Sequence, residues 1–462
     1  MSTSFFEELL NRISDRGRQL FDLSGFGFSH DETIESLSKA LLSGRGEASG
    51  VAIALQILNA YSGLSEDRKA AYFEFLANEF SPDPASLAEA ARAYLNAPDG
   101  ETLKKLTRAV ESPRSEFLHR LNLAPGATAE IVKMRKDLLD HMQGNPALAA
   151  VDRDFIGQLN SWFNRGFLVL QRIDWSTPAN ILEKIISYEA VHEIRGWDDL
   201  RRRLDPADRR CFAYFHPSLV DEPLIFVQVA LTRHIPATIG EVLEEARHEP
   251  KDMPEPTTAV FYSISNCQEG LRGISFGNFL IKHVVEDLTR AIPGLKTFVT
   301  LSPIPGFSMW LKRALSCNLL SYLDATELAI LDNLADESWV EDAELAEALQ
   351  PVVQAAASHY FLLAKNVNGR PVDPVARFHL GNGARLERIN WRGNVSPRGM
   401  QEAHGLMVNY RYDLRDIERN HELFAHSGVV AASKSVRSNL RAPAEPKSLV
   451  VVDTPAPQQT EQ

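Results

Sequence analysis

Cysteine is scarce: 462 residues hold only Cys211, Cys267 and Cys317. Three scattered thiols build neither a disulfide framework nor a CxxC metal clamp, so reduced, buried cysteines are expected. Positive charge is also in deficit, with Lys plus Arg at 49 against 61 Asp plus Glu and a formal charge of -12. That balance argues against a general nucleic-acid binder and against an anionic-membrane binder. An anionic substrate would need a local cationic or backbone-amide site. No apolar run nears the roughly 20 residues that span a bilayer. The opening stretch MSTSFFEELLNRISDRGRQLF carries acids where a leader carries bases, which gives the cytoplasm as the expected compartment.

Nucleotide and hydrolase signatures are missing too. There is no GxxxxGK[ST], and no GxGxxG opens a helix after a first strand, so ATP and NAD lose support. GFSHD at 27–31 and GFSMW at 306–310 both lack the last glycine of a nucleophile elbow. HELFAH at 421–426 sets its histidines five apart, which turns the rings to different faces of a helix, so no zinc site is expected there.

What is present folds. Hydrophobic residues make up 44% and charged residues 24%, the balance of a globular chain, and the length calls for more than one domain. Residues 1–166 read as an all-α bundle. SGVAIALQILNAY, EDRKAAYFEFLANEF and PASLAEAARAYLNA carry apolar stripes at three- and four-residue spacing and break at SPDPAS and APDGET. Nothing in them clusters polar groups for chemistry, so packing and assembly are their expected work. Residues 167–432 change texture. LVLQRIDW, RCFAYFHP, PLIFVQVALTRH, TTAVFYSIS and KTFVTLS read as strands, with a long amphipathic helix, FGNFLIKHVVEDLTRAI, before the last of them. FHLGNGARLERINW and LMVNYRYDL add short extended segments, and the fold class is α+β. Residues 433–462, rich in Pro, Ser and polar residues, read as a mobile tail.

The stretch SISNCQEGLRGISFGNFLIKHVVEDL places Gly270, Gly273 and Gly277 between a strand and a helix start. Glycines let the chain turn tightly there and let phosphate oxygens approach amides, while the helix start adds unpaired N–H groups. A helix end contributes only about 0.3–1 kcal/mol, so several amides with Arg272 would have to share a pyrophosphate. Gly270, Arg272, Gly273, Ile274, Ser275, Phe276, Gly277 and Asn278 are the candidate binding residues. Taken alone, the same glycines also suit a plain strand-to-helix turn.

This loop resembles the pyrophosphate loop of the GNAT acyl-CoA superfamily. With TLSPIPGFSMWL at 300–311, ARFHLGNGARLERINW at 376–391 and GLMVNYRY at 405–412, the ordered blocks resemble the malonyl-CoA decarboxylase family. The resemblance implies a GNAT-like catalytic domain behind a helical one. It also implies conversion of malonyl-CoA to acetyl-CoA and carbon dioxide through a thioester enolate, a reaction that sets malonyl-CoA levels in fatty acid metabolism. It implies Ser302 as proton acceptor or relay, His379 as proton donor and enolate stabiliser, and a homo-oligomer, a tetramer for example, formed through the helical region.

The chemistry asks for an oxyanion donor, a proton donor to carbon and a pocket that favours carboxylate loss. The thioester is its own electron sink, so no cofactor or metal is expected. Ser302 follows the strand KTFVTL and precedes Pro303 and Pro305, whose fixed φ stiffens the exit. Tyr410, Arg411 and Asn390 are read as structural. Two other functions fit the same loop: a GNAT-fold transferase that passes the acyl group to an amine, and an acyl-CoA sensor or scaffold that leaves its ligand intact.

Overall fold

The computed structural model describes residues 33–43, 46–142, 145–243, 255–274 and 280–441. They fall into two compact units. The first takes the described parts of Met1–Val169, Phe215–Pro223 and Gln268–Phe276, the second those of Leu170–Tyr214, Leu224–Cys267 and Gly277–Gln462.

The first unit is helical, and its helices start where the sequence is punctuated. Asp83 caps Pro84–Asn96 with proline in the first turn, Asp99 closes a capping box on Gly100–Val110, and Ser112 caps Pro113–Leu121. Ile53, Ile57, Tyr72, Phe73, Phe117, Ile131, Phe155 and Leu159 form its dry interior. A fully buried side chain of this size contributes about 1.5–3 kcal/mol, which is why the stripes dominate. Two arginines are buried with them. Arg114 donates to Asp154 at 2.7 Å and to the carbonyls of Leu76 and Ala77, and Arg135 donates to Asp152 at 2.8 Å.

The sheet has seven strands: β1 (Val169–Ile173), β2 (Arg209–His216), β3 (Leu219–Thr232), β4 (Thr258–Asn266), β5 (Thr297–Thr300), β6 (Arg385–Asn390) and β7 (Met407–Tyr412). Their order is β1-β2-β3-β4-β5-β7-β6. β4 and β5 run parallel, whereas β3 with β4, β5 with β7 and β6 with β7 are antiparallel. The result is an α+β fold. The parallel ladder is short: it ends at Phe261 opposite Thr300, while β4 continues to Asn266. Val260 and Tyr262, Val299 and Leu301, and Met407 share one buried apolar cluster with Ala230 and Val242. By the period of two, Phe261, Thr300, Ser302, Tyr410 and Tyr412 point to the opposite face.

Three expectations need correcting. The segment at Phe378 to Gly381 is the end of a helix, Pro374–Gly381, because Asp373 accepts from the Ala376 amide and Pro374 fixes the first turn. Ser433 caps a further helix, Lys434–Ser438, whose Val436 is buried, so the chain stays packed past the boundary set at 433; residues 442–462 lie outside the described residues. Cys211 and Cys267 are buried but Cys317 is exposed.

Candidate active site

Ser302 sits two residues beyond β5, where the chain has left β4 but keeps its register with β7. Its amide donates to Val408 O at 2.8 Å and its carbonyl accepts from Val408 N at 3.0 Å, which fixes its backbone to β7. The side chain then shares a face with Thr300, and the two hydroxyls lie 2.9 Å apart. His379 enters from Pro374–Gly381 with Nε2 at 3.2 Å from Ser302 Oγ. On its other side Nδ1 lies 2.8 Å from the Tyr412 hydroxyl. Ser302 and His379 are buried, at 6% and 3% exposure. Their separation of 77 residues in the chain is closed by the β5–β7 pairing.

One proton arrangement satisfies every contact. Ser302 donates to Thr300 Oγ1, which also accepts from the Tyr410 amide at 3.1 Å. Ser302 Oγ is then left to accept from His379 Nε2–H, and Nδ1 accepts the Tyr412 proton. Burial pushes the His379 pKa from 6.5 to about 3, so the imidazole is neutral at physiological pH. Burial also holds the Tyr412 phenol well above its usual value, as a proton-bearing donor. A neutral imidazole in this tautomer is an N–H donor and can polarise an oxygen without bringing a charge. The Tyr410 ring stacks on it, with centroids 4.5 Å apart and planes 25° apart.

The glycine loop lies in the helical unit and differs from its expected form. A Cβ on Gly270 would come 1.9 Å from the Val132 carbonyl oxygen, so glycine is required there by close packing on helix Ala127–His141. Arg135 holds the turn by donating to the carbonyls of Gly270 and Arg272 at 2.7 and 2.8 Å. The amides of Leu271, Arg272 and Ile274 are spent inside the turn, on Gln268, Glu269 and Leu271. Gly273 adopts φ +80° and the Arg272 residue is exposed. Ser275, Phe276, Gly277 and Asn278 lie outside the described residues.

Asn390 donates to Asn409 Oδ1 and accepts from Arg388, while Arg411 faces Glu387 at 3.8 Å. His421 of HELFAH bonds the Gly381 carbonyl at 2.7 Å, and the described residues hold no cluster of three metal-ligating side chains. Sequence reasoning missed Thr300 and Tyr412. The alternation of β7 carried a signal for Tyr412, but only the Ser302–Val408 register shows which face it serves.

Comparison with known proteins gives a consistent set of matches. Residues 166–450 match the model of the malonyl-CoA decarboxylase C-terminal domain, and residues 80–163 that of the N-terminal domain. Malonyl-CoA decarboxylase, mitochondrial, from Anser anser anser is 35% identical over 415 residues, spanning 82% of this chain and 81% of that protein. The crystal structure of malonyl-CoA decarboxylase from Rhodopseudomonas palustris is 55% identical with a TM-score of 0.84, covering 89% of this chain and all of that one. The enzyme from Agrobacterium vitis is 54% identical with a TM-score of 0.82, covering 88% and 99%.

Proposed function

Because the chain belongs to the malonyl-CoA decarboxylase family, we propose that it removes carbon dioxide from malonyl-CoA, with Ser302 and His379 acting on the malonyl group. The observation that carries this reading is the buried contact between them, 3.2 Å from Oγ to Nε2, with Tyr412 behind the ring. When the carboxylate leaves, charge develops on the thioester oxygen, where preorganised neutral donors count most. Ser302 and His379 Nε2–H are such donors. Protonation of the α-carbon then draws on the Nε2 proton, the Tyr412 proton follows onto Nδ1, and one proton taken up from solvent restores the phenol, so that one proton is consumed per carbon dioxide released. Ser302 works as acceptor and relay between the substrate and the imidazole. The loop with Arg272, Gly273 and residues 274–278 takes the CoA diphosphate, on the strength of the sequence resemblance and the exposed Arg272.

The thioester stabilises the carbanion itself, so the reaction as proposed needs no added cofactor. Purified protein incubated with malonyl-CoA in the presence of a chelator, without ATP or biotin, is expected to yield acetyl-CoA and carbon dioxide in equal amounts. Release of free CoA only after an amine is added, with the acyl group carried onto the amine and no carbon dioxide formed, would favour the transferase reading. Tight binding with intact malonyl-CoA would favour the sensor.

The helical unit supports a second part of the reading, assembly into a homo-oligomer. Helices Pro84–Asn96 and Gly100–Val110 contain no buried residue, and Leu95, Leu103 and Val110 are 79%, 48% and 54% exposed. At about 100° per residue, Leu103 and Val110 lie nearly in line along their helix. A hairpin with an open apolar face is half of a four-helix arrangement, and a second copy supplies the other half. Sedimentation of the full chain at micromolar concentration is expected to show an oligomer that Leu103→Asp with Val110→Asp dissociates. A strictly monomeric parent, or a variant of unchanged mass, would remove this part.

A further inference from the structure

A buried carboxylic acid stands at the start of the helix that carries His379, and the proposed mechanism leaves it idle. Asp373 is fully buried, and its carboxylate accepts from the Ala376 amide at 2.7 Å and from the Tyr360 hydroxyl at 3.2 Å. The other capping aspartates, such as Asp83 and Asp99, stand in solvent. The cap at Asp373 begins the helix that delivers His379. Its partner Tyr360 is fully buried on helix Ala343–Leu362 and touches the segment that follows Ser302. The Tyr360 hydroxyl lies against Gly306, where an added Cβ would come within 2.8 Å. Its ring packs on Phe307 and Trp310 at 5.6 and 5.1 Å between centroids. Gly306 and Phe307 are the fourth and fifth residues after Ser302. One hydrogen bond therefore joins the serine segment to the histidine helix.

We propose that Asp373 and Tyr360 are positioning residues that together set the approach of His379 to Ser302, and that they do so only while the Asp373 carboxylate is ionised. This rests on the reading of Ser302 and His379 as the reacting pair. A carboxylate accepts both donors with charge-assisted bonds and complements the positive end of the helix. A protonated acid loses that charge and must itself find an acceptor. The charged and titratable groups around it are Tyr360 from the long helix, Tyr410 from β7 and Arg377 from its own helix. Arg377 also holds the Pro371 and Val372 carbonyls. The Tyr410 hydroxyl is buried with no hydrogen-bond partner among the described residues. Burial is the main cause that raises Asp373 to about 6, against the lowering effect of the Ala376 amide, Tyr360 and Arg377. That value falls where enzyme assays are routinely run, whereas His379 does not titrate there.

The test is the pH profile of kcat for the full chain and two variants. The parent is expected to lose kcat on the acid side with a midpoint near 6. Asp373→Asn should lower kcat about 10- to 100-fold, the cost of a small misplacement of reacting groups, leave KM nearly unchanged and abolish the acid limb. Tyr360→Phe keeps the packed ring and removes one bond that lowers the Asp373 pKa, so its acid limb should move to higher pH. If Asp373→Asn does not fold, that displacement alone decides. An acid limb unmoved in either variant overturns the proposal, as does a parental kcat in both. If Ser302→Ala and His379→Ala are inactive while the limb stays put, only this inference fails. If those two variants are active, the reading beneath it fails.

Discussion

His379→Ala and Ser302→Ala should each lower kcat for malonyl-CoA by a factor of about 100 to 10,000 while CoA binding, followed by calorimetry, persists. That range is what one positioned acid or base contributes, and an oxyanion donor independently adds about 2.7–4 kcal/mol. Because the hydroxyl and imidazole share one hydrogen bond, their losses should not add. The double variant should be little worse than either single one, as for groups that act as a unit. Melting temperatures separate this from collapse of the pocket, since removing the imidazole leaves the Tyr412 hydroxyl without its partner. Near-parental kcat in either single variant would refute the assignment. The buried imidazole also makes a statement about pH. Its pKa is depressed, so the unfolded chain binds the extra proton first. Its contribution to stability is complete above about 6.5 and drains away as pH falls toward about 3.

Gly270→Ala should be the most damaging single-methyl change in the helical unit. The new Cβ would lie 1.9 Å from the Val132 carbonyl oxygen and 2.8 Å from its carbon, atoms of a helix backbone that cannot turn aside. Relief requires the turn to lift, which stretches both Arg135 bonds to the Gly270 and Arg272 carbonyls. Overpacking alone costs about 1–3 kcal/mol, and a buried guanidinium with weakened acceptors adds to it. The urea midpoint should fall accordingly. KM for malonyl-CoA should rise more than kcat falls, since the same turn carries Arg272 and Gly273. An unchanged midpoint would show that the helix and turn separate more readily than their packing indicates.

The helices of the first unit were legible because their caps are local chemistry. Asp83, Asp99 and Ser112 announce their starts within four residues. The strands were legible for the same reason, through β-branched runs and punctuation. The Pro374–Gly381 helix was obscured by glycines around a short apolar run, and its deciding signal was the Asp373–Pro374 pair just upstream. Ser302 and His379 could be named from motif blocks, but nothing local joins them. Their contact depends on the antiparallel register that bridges Ser302 to Val408. Tyr412 and Thr300 follow from that register alone. The reading of Gly270 as a phosphate-facing position had the opposite fault. The residue type was informative, but its reason is a neighbour 138 positions earlier in the chain.

The covered, uncharged state of the imidazole separates capture from chemistry. Dissolved ions weaken attractions between exposed charges over roughly 10 Å, and the exposed Arg272 proposed to meet the CoA diphosphate is such a charge. They have little hold on a contact between two buried, uncharged side chains such as Ser302 and His379. On the proposed function, added salt is therefore expected to raise KM for malonyl-CoA while kcat scarcely moves.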